Sequence, residues 1–91
     1  MQARIIRSGL MRKGFQKREG SNHEIYSIEI DGKIAATTVM SRSSSRDVSK
    51  NIISKMSKQL HMRTTEEFLN YIQCTYSYED YTNYLKMNYL D

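Results

Sequence analysis

Asp31-Gly32 constrains the fold of this chain more than any other pair of residues. It separates two runs of alternating polarity, and a two-residue Asp-Gly loop supplies the positive φ angles that fold one strand back on its neighbour. The chain before it, over 23–31, places Glu24, Tyr26, Ile28 and Ile30 on one side and His23, Ile25, Ser27 and Glu29 on the other. The first side is the more apolar and is the expected core face. The chain after it, over 33–40, alternates Ile34, Ala36, Thr38 and Met40 with Ala35, Thr37 and Val39. Upstream, Gly20-Ser21-Asn22 reads as a turn, so residues 15–19 form a third strand and the sheet is an antiparallel meander.

Helices flank this sheet. Residues 4–13 place Ile6 and Leu10 four apart with Ile5 beside them, while Arg4, Arg7 and Lys13 fall elsewhere, and Gly14 is a C-terminal stop. Gly9 weakens that helix, since glycine in a helix interior costs about 1 kcal/mol relative to alanine. The run Ser41-Arg42-Ser43-Ser44-Ser45 supplies hydroxyl caps for a helix over 46–61. There Val48, Ile52, Met56 and Leu60 recur every four residues with Ile53 on the flank, predicting a core stripe against Tyr26, Ile28 and Ile30, with Ile52 at its centre. Thr64-Thr65-Glu66-Glu67 and Ser77-Tyr78-Glu79-Asp80 are capping-box patterns, predicting helices over 65–74 and 78–89. The expected architecture is α+β, a two-layer sandwich in the order α-β-β-β-α-α-α.

Composition narrows the class. Ninety-one residues suffice for one domain, and 38% hydrophobic with 26% charged residues is the balance of a globular chain. The longest apolar run, Ile34-Ala35-Ala36, is far short of the roughly 20 residues of a membrane span. The first residues interleave cations with apolar side chains instead of separating them as a signal peptide does, and a lone Cys74 forms no internal disulfide, which together predict a cytoplasmic protein. Nothing in the pattern calls for a metal ion or another cofactor.

The net charge of +4 is unevenly spread. Positions 1–18 hold Arg4, Arg7, Arg12, Lys13, Lys17 and Arg18 with no acid, enough to attract a polyanion in a salt-dependent way, although a basic stretch is also an ordinary solvated face.

The succession Lys13-Gly14-Phe15, Gly20-Ser21-Asn22-His23-Glu24-Ile25-Tyr26 and Asp31-Gly32-Lys33 resembles the HicA toxin family, whose fold is like that of a double-stranded-RNA-binding domain. The resemblance covers residues 4–61 as a core. Phe68, Cys74, Ser77, Tyr81 and Leu85 are similar to a longer prokaryotic branch of uncharacterised HicA-like proteins, in which residues 62–91 form a C-terminal helical extension. It implies RNA as a partner, metal-independent RNA cleavage by a toxin that acts on messenger RNA, and a HicB-like antitoxin. His23 occupies the place of the family's catalytic histidine, with Asn22 standing between it and Ser21. Arg4, Arg7, Arg12, Lys13, Lys17, Arg18 and Arg42 are the candidate RNA-binding residues.

Chemistry gives His23 a task compatible with that resemblance. An imidazole titrates near neutrality and can take the proton of a ribose 2′-hydroxyl as that oxygen attacks the adjacent phosphate. A neighbouring cation, Lys17, Arg18 or Arg42, would stabilise the charge of the transition state. A single histidine on a strand is, with no family in view, more often structural. His61, at a helix end, complements the helix dipole. Glu66 and Glu67 serve the cap, and Cys74 packs as a small apolar side chain. Six tyrosines from Tyr71 to Tyr89 suit core and interface packing better than base stacking, because that segment is balanced in acid and base. Three readings stand: an RNA-cleaving protein, a non-catalytic protein- or nucleic-acid-binding module on the same fold, and a protein-interaction partner using its tyrosine-rich end.

Overall fold

A computed structural model describes residues 1–41, 46–73 and 76–89. The elements follow as α1 (Ala3–Arg12), β1 (Gln16–Glu19), β2 (His23–Ile30), β3 (Lys33–Ser41), α2 (Lys50–Gln59), α3 (Thr65–Ile72) and α4 (Tyr78–Asn88). The chain is α+β in the expected order, with one antiparallel sheet ordered β1-β2-β3. Asp31 and Gly32 have φ angles of 53° and 83°, and Ile30 pairs directly with Lys33, so the two-residue loop closes the hairpin.

The alternation expected for β3 breaks at one point. Ile28 pairs with Ala36 but Glu29 pairs with Ile34, so Ala35 is the extra residue of a bulge. Ala35 and Ala36 are both buried, while Ile34 is turned to the opposite face and is 58% exposed. The core face of the sheet is Tyr26, Ile28, Ile30, Ala36, Thr38 and Met40. The same core holds Ala3, Ile6 and Leu10 of α1, Ile53 and Met56 of α2, and Phe68, Tyr71 and Ile72 of α3. Tyr81 and Leu85 of α4 enter the same core, so the C-terminal helices are packed into it.

Gly9 has a packing reason: a Cβ there would lie 2.7 Å from Ile72 Cγ2 and 3.1 Å from the Ile72 carbonyl oxygen, so glycine lets α1 and α3 approach. α1 ends as predicted at Gly14, whose φ is 82°. The Gly14 amide donates to Met11 O and the Phe15 amide to Leu10 O.

α2 differs from the expectation in start and in buried face. Residues 46–48 lie beside the start of α1. The Ala3 amide donates to Arg46 O and the Val48 amide to Met1 O, each at 2.8 Å, and Gln2 bridges to Asp47. These backbone groups are committed to another segment, so the helix starts only after Ser49, whose hydroxyl accepts from the Ile52 amide. A stripe with every member four apart slides about 40° round a helix at each step, which carries Ile52 about 80° from Leu60 and to the edge of the buried face. Val48, Met56 and Leu60 of the expected stripe are buried, together with Ile53 and Ser57, but Ile52 turns outward and is 44% exposed.

Thr64 and Ser77 cap α3 and α4 as their patterns predict, accepting from the Glu67 and Asp80 amides. Tyr71 stacks edge-on to Phe15 at 6.2 Å and lies 4.7 Å from Tyr81. The Tyr71 hydroxyl donates to Lys13 O and that of Tyr81 to Leu60 O, so these buried aromatics tie the last helices to α1 and α2.

Candidate functional site

His23 opens β2, pairs with Ser41 at the end of β3, and is exposed on the side of the sheet away from Tyr26. It lines a cleft of about 130 Å³ with Val39 and Ser41 of β3. The other wall is α2, which contributes Ile52, Lys55, Met56 and Gln59. Met56 is buried at the base and Ile52 stands exposed at the rim. Gln59 is held from behind, because the buried Thr38 hydroxyl donates to its Oε1 at 2.7 Å. That leaves the Gln59 NH₂ as the end free to donate elsewhere.

The candidate RNA-binding cations do not share one surface. Arg7 faces Glu24, its Nε 2.7 Å from Oε1, with a second nitrogen 3.4 Å from Ser41 O. Lys17 stands 3.3 Å from Glu19 Oε1 and 3.6 Å from Glu24 Oε2, on the core side of its strand. Lys13 is only 8% exposed. Its ammonium donates to Tyr76 O at 2.9 Å and lies 4.8 Å over the Tyr71 ring. Arg12 donates to Ile72 O at 3.2 Å. Arg4 borders a separate hollow with Gln2, Arg46 and Asp47. Arg18 pairs opposite Ile25 and so shares the open sheet face with His23. Arg42 lies outside the described residues, as do Ser43, Ser44, Ser45 and Cys74.

Glu24 is the electrostatic centre of the neighbouring cluster. Burial alone would raise its carboxyl, but hydrogen bonds from Arg7 and from the Tyr26 hydroxyl, with the charges of Arg7 and Lys17, outweigh it and hold the carboxyl below its ordinary value. Burial, then the hydrogen bond to Glu24 and its negative charge, push the Tyr26 phenol up to about 12. These groups join α1 to the sheet, whereas the cleft of His23 lies between β3 and α2.

His61 ends α2 with φ of 62°. Its amide donates to Lys58 O and the Met62 amide to Ser57 O, while its ring stacks on Tyr89 at 4.0 Å. Glu67 accepts from the Arg63 amide and pairs with the Arg63 side chain at 2.8 Å, a cap-side role as expected.

Sequence reasoning missed Lys55, Gln59 and the exposure of Ile52. The available signal was that residues 50–59 carry Lys50, Lys55 and Lys58 with no acid. Among the described residues no three His, Cys, Asp or Glu side chains gather as a metal site, and no helix is long and apolar enough to cross a membrane. No family model, curated protein or solved structure matches the chain.

Proposed function

We propose that this chain is a small basic HicA-like RNA-binding protein that cleaves RNA without a metal ion, with His23 as general base. The observation that carries the reading is that His23 and Lys55, from different elements, line one open cleft. In the step proposed, the imidazole takes the proton of a ribose 2′-hydroxyl and that oxygen bonds to the adjacent phosphorus. The bond from phosphorus to the 5′-oxygen breaks, and the leaving oxygen takes a proton from water. The products are a 2′,3′-cyclic phosphate and a 5′-hydroxyl end. Lys55 meets the negative charge that builds on the phosphoryl oxygens.

Arg4 and Arg18 are the candidate cations whose side chains make neither an ion pair nor a hydrogen bond among the described residues, and with Lys55 they supply phosphate contacts on this reading. The physiological assignment that follows is the toxin of a toxin-antitoxin pair acting on messenger RNA in the cytoplasm, with a HicB-like antitoxin as partner. One feature favours the alternative of a non-catalytic binding module: Asn22 separates Ser21 from His23.

Incubation of wild type and His23→Ala with mixed RNA in chelator tests the proposal. Cleavage leaving a cyclic phosphate, reduced by about 10²-fold or more in the variant, is the expected result. Equal cleavage by both proteins overturns the role of His23, and RNA binding without cleavage leaves the binding module.

A further inference from the structure

We infer that the cleft between β3 and α2 holds one unstacked base of single-stranded RNA, with Lys55 on its phosphate; the inference rests on the RNA-binding reading above. Size is the first argument. At about 130 Å³ the cleft is well below the roughly 300 Å³ at which pockets begin to engulf whole small molecules. It takes a single ring of something larger whose remainder lies outside.

The walls suit a flat apolar ring. Val39 presents one side, Ile52 and Met56 the other, and Ile52 leaves 44% of its surface exposed at the rim. Polar groups stand where a base would carry its own. With Thr38 holding the Gln59 carbonyl oxygen, the Gln59 NH₂ is a donor for the ring nitrogens and carbonyl oxygens of a base edge.

Charge selects the polymer. α2 carries Lys50, Lys55 and Lys58, all exposed, and no acid, so a ligand that lays one ring in the cleft meets positive potential along the helix outside it. A paired A-form helix keeps its bases stacked and its major groove closed to side chains, so the cleft can accept a base only from a single strand, loop or bulge.

The test uses 2′-O-methyl oligonucleotides, which bind without being cleaved, and reads affinity by fluorescence anisotropy with wild type, Ile52→Ala and Lys55→Gln. Wild type binds the single strand more tightly than the duplex of the same sequence. Ile52→Ala weakens the single strand by roughly fivefold and leaves the affinity for an abasic strand unchanged. Lys55→Gln weakens both strands and lowers the slope of log affinity on log salt by about 0.7, one phosphate contact. Both side chains are exposed, and circular dichroism verifies that the variants are folded.

If wild type binds abasic and complete strands equally, or Ile52→Ala loses nothing, the base is not in the cleft and the inference falls while the RNA-binding reading stands. Displacement of the oligonucleotide by a polyglutamate peptide at equal charge concentration would reassign the cleft to acidic peptides. Absence of any RNA binding overturns both readings.

Discussion

Arg7 Nε stands 2.7 Å from Glu24 Oε1, joining α1 to β2 through an ion pair whose carboxylate side chain is only 9% exposed. The same oxygen accepts the Tyr26 hydroxyl at 3.0 Å. Since the folded carboxyl lies below its unfolded value of 4.5, the unfolded chain takes up the proton first as pH falls. The stabilisation is therefore complete above that value and is lost as pH drops through the folded one. Arg7→Ala should cost about 2 kcal/mol at neutral pH. Denaturant titrations across the acid range should show the gap between wild type and Arg7→Ala closing toward low pH; a gap independent of pH would mean that the pair does not carry it.

At the alkaline end the sign reverses. The Tyr26 phenol titrates at about 12 in the folded protein against 10.0 unfolded, so between these values only the unfolded chain gives up the proton and stability falls as pH rises. Burial raises Tyr71 and Tyr81 in the same direction. Ionisation of Tyr26, Tyr71 and Tyr81 should therefore appear together with loss of far-ultraviolet circular dichroism. Full ionisation of all seven tyrosines in a chain that keeps its native spectrum would contradict this burial.

Gly9→Ala sets helix propensity against packing. Alanine favours the helix by about 1 kcal/mol, but its Cβ would lie 2.7 Å from Ile72 Cγ2, a β-branched side chain with little freedom to move. Overpacking of this kind costs about 1–3 kcal/mol, so a net loss of roughly 1 kcal/mol is expected by thermal or denaturant unfolding. Ser8→Ala, exposed one residue earlier, should be neutral or slightly stabilising. A stabilised Gly9→Ala would mean that α1 and α3 are not this close.

Adjacent isoleucines of α2 should behave differently. Ile53, 4% exposed, should cost about 2–5 kcal/mol when truncated to alanine. Ile52→Ala should cost less than about 1 kcal/mol, because its side chain is already half in water. Equal losses in parallel urea titrations would return Ile52 to the core.

The periodicity of 23–30 and the Asp31-Gly32 loop made the hairpin legible, because both act between neighbouring residues. The caps at Thr64 and Ser77 were legible for the same reason: a hydroxyl and an amide three residues on need no distant partner. So was the stop at Gly14. The identical bond pattern at His61 was not, because the left-handed residue there is not glycine and its ring rests on Tyr89, just past the end of α4.

Of the candidate site, the sequence by itself determined that His23 falls on the strand face opposite Tyr26, since side chains alternate along any strand. Local order also determined the element sequence and the cations before residue 19. Only the tertiary structure decided which of those cations are committed elsewhere, as Arg7 is to Glu24 and Lys13 to Tyr76. Only it brought Lys55 to the same cleft as His23, by pairing 46–48 with the start of α1 and turning Ile53 instead of Ile52 into the core. The bulge at Ala35 belongs to the same class. Local patterns set the faces of a helix or strand, but the bonds between distant segments set where the element begins and how it is rotated, and a cleft exists only where two such rotations meet.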